Sequence, residues 1–153
     1  NEIMADPSPS VGLPEVEWLE LYNRSGKTID LKTLRLSDGG TPAALPDQLL
    51  PPNSYIVLSN SAGASALQPF TNRVYAMSGI PSLNNDGDML TLTNAAGDLI
   101  DRVNYQSSWH ESSAKRDGGW SLERINPALP CLGGVAGGHA GAGQLGPANY
   151  YRY

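Results

Sequence analysis

The punctuation of this chain limits its folds more than any other feature. Short apolar runs recur along it, and turn-forming clusters close them: Arg24-Ser25-Gly26-Lys27, Asp38-Gly39-Gly40, Pro51-Pro52-Asn53, Asn85-Asp86-Gly87-Asp88, Ala96-Gly97-Asp98 and Asp117-Gly118-Gly119. Gly admits positive φ, Pro fixes φ and removes a donor, and Asn and Asp bond their own backbone, so each cluster stops a regular element. Between them lie residues 1–4, 15–23, 28–36, 55–59, 73–77, 89–93, 99–105 and 120–125, about eight short runs at near-regular spacing. That pattern predicts an all-β fold, a sandwich or barrel. The clearest hairpin is MLTLTNAAGDLIDRVNY. In TIDLKTLRL, Ile29 and Leu31 share one parity and Leu34 and Leu36 the other, which predicts a bulge, a bend or two strands. Ser61–Leu67 (SAGASAL) is read as at most one short helical turn.

EVEWLELYN, residues 15–23, is ambiguous by local signals. Pro14 suits a first helical position, acids follow it, and Gly26 is placed to cap a C-terminus. The all-β surroundings favour a strand. Leu19 and Leu21 then point one way, and Trp18, Glu20 and Tyr22 the other. In a helix Glu17 and Glu20 would be neighbours, whereas in a strand they diverge, and a paired-carboxylate acid–base site loses its geometry. Glu17, on the leucine side, is then expected to meet a backbone donor or a cation such as Arg35, Arg102 or Arg124.

Composition removes several functions. The net charge is −5, and the ten Lys and Arg residues are scattered, with only Lys115 and Arg116 adjacent. No basic patch for nucleic acid is legible. No apolar run approaches the roughly 20 residues that span a bilayer. The single cysteine, Cys131, has no intrachain disulfide partner and reads as a small apolar filler. The 153 residues suit one domain, 1–153, burying about 70% of its unfolded surface. The start at Asn1 without methionine fits a removed leader or a trimmed start.

Few motifs carry chemistry. Asn84-Asn85-Asp86-Gly87-Asp88 resembles part of a calcium loop but lacks the later bidentate glutamate, so it reads first as a hairpin turn. If calcium binds, Asp86 and Asp88 are its ligands, with Asn84 as a carbonyl donor. Trp109 and His110 lie in SSWHESSAKRDGG, read as an exposed loop with Trp109 packed at its root. They are candidate ligand contacts, because loop indoles are common recognition anchors. Tyr150 and Tyr151, in the YYRY terminus, are candidates for a partner or sugar contact or for covering the sandwich edge. Gly141–Gly146 matches G-x-G-x-x-G by accident, since the chain ends seven residues later. Asn23-Arg24-Ser25 is a glycosylation sequon in a turn. No catalytic set emerges.

Seven segments occur in an order that resembles bacterial lamin-tail domains: NEIMADPSP, EWLELYN with RSGKTIDL, LSDGG, LPPNSYIVL, LNNDGDMLTLTNAAGDLIDRVNY and DGGWSLERINPALPC. The resemblance runs from Asn1 to about Cys131. It implies an immunoglobulin-like antiparallel β-sandwich and a non-catalytic accessory module of a secreted or surface protein, hence an extracellular, periplasmic or cell-surface location. It carries no catalytic residue or cofactor. The family pattern continues past Pro-Cys with an Asn-Trp pair. Here residues 132–153 form an atypical Gly-rich segment instead, and the family's last strand is not carried over. The expected action is recognition of a protein partner by a sheet edge or loop aromatics, with edge-strand self-association as a further outcome. A carbohydrate-binding module and a hydrolase using Glu20 or Glu123 with Asp101 or Glu111 are the alternatives.

Overall fold

The computed structural model describes residues 1–110, 112–124, 126 and 127, and the backbone of 150 and 151. Its elements are β1 (Glu2–Met4), β2 (Trp18–Tyr22), β3 (Ile29–Asp30), β4 (Leu34–Ser37), β5 (Ala43–Ala44), β6 (Leu49–Leu50), β7 (Tyr55–Ser59), α1 (Ser61–Leu67), β8 (Val74–Ala76), β9 (Gly87–Asn94), β10 (Leu99–Gln106), α2 (Ser113–Arg116), β11 (Leu122–Arg124) and β12 (Tyr150–Tyr151). A six-stranded sheet, ordered β12-β11-β1-β2-β7-β8, faces a four-stranded sheet, β10-β9-β4-β5, and β3 pairs with β6 beside them. This is a β-sandwich, one of the two architectures that the turn spacing predicts, and it has the immunoglobulin-like form that the resemblance implies.

The core follows from strand alternation. Ile3, Leu19, Ile56, Leu58 and Leu122 project from the six-stranded sheet onto Leu34, Leu36, Leu90 and Tyr105 of the other, all buried. The segment EVEWLELYN is extended where it matters. Trp18–Tyr22 lies in the middle of its sheet, with Leu19 opposite Leu58 and Leu21 opposite Ile56. The parity break in TIDLKTLRL is a 3₁₀ turn, Leu31–Thr33, set between β3 and β4. The Asp30 carboxylate accepts from the Lys32 N–H at 3.3 Å and starts it.

Two features depart from the sequence reading. The sheets are not wholly antiparallel, because β8 runs parallel to β7. A parallel neighbour needs a crossover, and α1 lies in that connection. Helical structure therefore exceeds one turn. The Asn60 side chain accepts from the Gly63 N–H at 2.8 Å and caps α1. Gly63 faces Ser59 and Val16 so closely that a Cβ would collide with the Ser59 hydroxyl. The helix thus seats directly on the sheet. Ala64 and Leu67 join Met4, Trp18 and Val74 in a second buried cluster on the outer face of the six-stranded sheet. A further close approach, of Gly118 (φ +105°) to the Ser8 carbonyl, closes the chain before β11.

Candidate functional site

Inward Ile3, Leu19 and Leu122 oblige Glu2, Glu20 and Glu123 to point outward. Strand register then aligns them: Glu2 lies opposite Glu20 on one side and opposite Glu123 on the other. Direct cross-strand neighbours have Cβ atoms about 5 Å apart, so the three carboxylates form a row across β2, β1 and β11. On the same face Tyr22 lies opposite Tyr55, their rings stacked at 4.5 Å between centroids and 30° between planes. Helix α1 and its cluster cover the other half of this face. Tyr55 is 40% exposed.

The side-chain donors to the row are neutral, and the Asn1 ammonium lies beside it, donating to the Glu20 carbonyl at 2.7 Å. Asn1 Nδ2 donates to Glu20 Oε1 at 2.8 Å, and the Ser121 hydroxyl donates to Glu2 Oε1. Among the described residues, the ion pairs are Lys32 with Asp30 and Asp47 and Arg124 with Asp101, and none reaches the row. Burial pushes the Glu2 carboxyl above its ordinary value. The Ser121 hydrogen bond opposes the shift, the Glu20 and Glu123 charges add to it, and the Asn1 ammonium opposes it. Burial likewise raises Glu20, opposed by the Asn1 side-chain hydrogen bond and the Asn1 ammonium and reinforced by Glu123. Partial burial, then Tyr22, Glu20 and Glu123, also raise the Tyr55 hydroxyl. Rings and carboxylates therefore share one electrostatic environment.

Glu17 behaves as its parity requires. It turns away from Glu20, and its Oε2 accepts from the Leu83 N–H at 3.0 Å. Its partner is a backbone donor. The cation Arg124 instead bridges the two sheets, with Nη2 3.1 Å from Asp101 Oδ2. Arg35 Nη1 donates to the Lys32 and Leu34 carbonyls. Sequence reasoning found Glu20 and Glu123 but missed Glu2, the residue that joins them. Only the order β11-β1-β2 brings the three together, and no local pattern encodes that order.

The other expected site residues are placed as follows. Asn84, Asp86 and Asp88 form the turn into β9. Asn84 Nδ2 donates to Asp88 Oδ2 at 2.8 Å, the Met89 N–H donates to Asp88 Oδ1, and the Asn84 carbonyl accepts from the Gly87 N–H and the Tyr105 hydroxyl. The atoms a cation would need from Asn84 and Asp88 already bond within the turn. Among the described residues no group of three His, Cys, Asp or Glu side chains gathers to hold a metal. Trp109 packs in the core, as expected of a residue at a loop root, and His110 is buried with it, each 7% exposed. The exposed loop read for His110 is thus corrected. A 3₁₀ turn, Ser107–Trp109, carries both rings inward.

Tyr150 and Tyr151 pair through their backbone with Arg124 and Glu123. Their side chains, Glu111, Cys131 and Gly141–Gly146 lie outside the described residues. Asn23 of the sequon is 1% exposed, and its Nδ2 donates to the Lys27 and Leu50 carbonyls. Its amide is therefore part of the fold. No helix among the described residues is long and apolar enough to cross a membrane.

No curated protein matches the chain. A family model described as the Lamin Tail Domain matches residues 1–107, which span β1 to β10 and include two of the three acids of the row, Glu2 and Glu20. With that match covering most of its length, the chain belongs to the lamin tail domain family.

Proposed function

We propose that this domain is a non-catalytic interaction module of a secreted or cell-surface protein. It recognises a protein partner through the half of the six-stranded sheet that no described element covers. The observation that carries this reading is the carboxylate row. Like charges directly opposite one another destabilise a sheet, and burial makes Glu2 and Glu20 harder still to ionise. A fold keeps such an arrangement when a partner's cations relieve it. The Tyr22–Tyr55 stack beside the row offers ring faces to the same cations.

The alternative of a hydrolase draws on one observation: Glu2 and Glu20 are cross-strand neighbours on one face, and a glycosidase needs two carboxyl groups near each other. Such chemistry needs two environments, one raising a carboxyl and one keeping its partner ionised. Here burial raises both, which favours binding. The carbohydrate reading relied on Trp109 and the terminal tyrosines; Trp109 lies inside the domain, and the side chains of Tyr150 and Tyr151 lie outside the described residues. Among the described residues of this face, Tyr55 is the exposed ring left to it.

Nuclear magnetic resonance with a decalysine peptide tests the reading. Amide shifts are expected at residues 2, 20, 22, 55 and 123, and their loss in the Glu2→Gln/Glu20→Gln/Glu123→Gln variant. Shifts scattered over the surface, or unchanged in that variant, would overturn it. Turnover of aryl glycosides abolished by Glu20→Gln would install the hydrolase instead.

A further inference from the structure

The outer face of the four-stranded sheet has the opposite character. Leu34, Leu36 and Leu90 point inward, so Arg35, Met89, Thr91, Thr93, Arg102 and Asn104 point outward. Register sets Arg35 beside Thr93, Arg102 beside Thr91, and Asn104 beside Met89. Two guanidinium groups thus stand on a face whose other strand residues are hydroxyls, amides and apolar side chains. Among the described residues, neither Arg35 nor Arg102 pairs with a carboxylate. Two carbonyls anchor Arg35 Nη1, which fixes that guanidinium over the sheet. Met89 is 43% exposed.

The domain is therefore polar across its thickness, with carboxylates and tyrosines on one outer face and arginines and a methionine on the other. We propose that the partner of the acidic face is a second copy of this chain, docked by its Arg35–Arg102 face. This inference rests on the reading of the acidic face as a recognition surface. Two different patches meet in such a contact, so it is heterologous. Each docked copy still presents a free acidic face, and the copies stack in an open row rather than a closed dimer. About four strands at about 4.8 Å and about five residues at about 3.4 Å give roughly 330 Å² per partner. That lies below the roughly 800 Å² per partner of a stable complex. The contact is accordingly weak, strengthened where copies are tethered or crowded and loosened by salt.

Sedimentation velocity over a concentration series tests this. The wild-type sedimentation coefficient is expected to rise with concentration at low salt and to stay flat in about 0.5 M salt. Glu20→Lys/Glu123→Lys and Arg35→Glu/Arg102→Glu are each expected to remain monomeric alone and to associate when mixed. Both variants keep a net negative charge, so recovery in the mixture reports the faces and not a general attraction. A wild-type protein that stays monomeric at low salt would overturn the proposal, as would association that survives both charge swaps. If that monomer still binds decalysine at the carboxylate row, only this inference falls. If it does not, the recognition reading falls too.

Discussion

At the scale of single residues, parity was legible and partnership was not. The separation of Glu17 from Glu20 followed from their spacing in an extended segment, whereas parity left the partner of Glu17 open between a cation and a backbone donor, and the fold supplies the Leu83 N–H. The meeting of Glu20 with Glu2 depends on residues 18 positions apart in sequence, and a local reading has no access to it. Their raised carboxyl groups give a signed expectation. The folded state binds these protons more tightly than the unfolded state, whose ordinary value is 4.5. Their contribution is therefore fully favourable below 4.5 and is lost as pH rises through the folded values. Urea unfolding from pH 4 to 7 should show this decline in the wild type and a flatter profile in Glu2→Gln/Glu20→Gln. Asn23 gives a second expectation. Its amide makes one buried and one part-buried donation and accepts from Ser25, so Asn23→Ala should lower stability by about 1–3 kcal/mol in chemical denaturation.

At the scale of elements, the turn clusters located most strands, because Gly, Pro, Asn and Asp act locally. The parity change in TIDLKTLRL was legible as a break, and Asp30 decided that the break would be a 3₁₀ turn. The parallel β8 was not legible, since a short apolar run such as RVYAM carries no mark of its neighbour's direction. Helix α1 that precedes it depends on local contacts that mutation can isolate. Asn60→Ala removes the cap and should cost about 1 kcal/mol. Gly63→Ala gains up to about 1 kcal/mol of helix propensity. The new methyl meets Ser59 and Val16, and overpacking of that kind costs about 1–3 kcal/mol. A lowered melting temperature in Gly63→Ala is the expected outcome, and a raised one would mean that the helix stands off the sheet.

At the scale of the whole molecule, the sandwich and its family were legible from punctuation and the ordered motifs. The distribution of charge over the sandwich was not. A net charge of −5 looks unremarkable, yet topology sorts acids to one outer face and arginines to the other. On the proposed function, the Glu2–Glu20–Glu123 row weakens the isolated domain and serves a partner. Equilibrium unfolding of the triple glutamine variant at pH 7 tests it most directly. Each of the two like-charged cross-strand pairs is worth about 0.2–1 kcal/mol, so the variant should be more stable than the wild type by roughly 0.5–2 kcal/mol. A variant less stable than the wild type would mean that the carboxylates support the fold, and would contradict the claim.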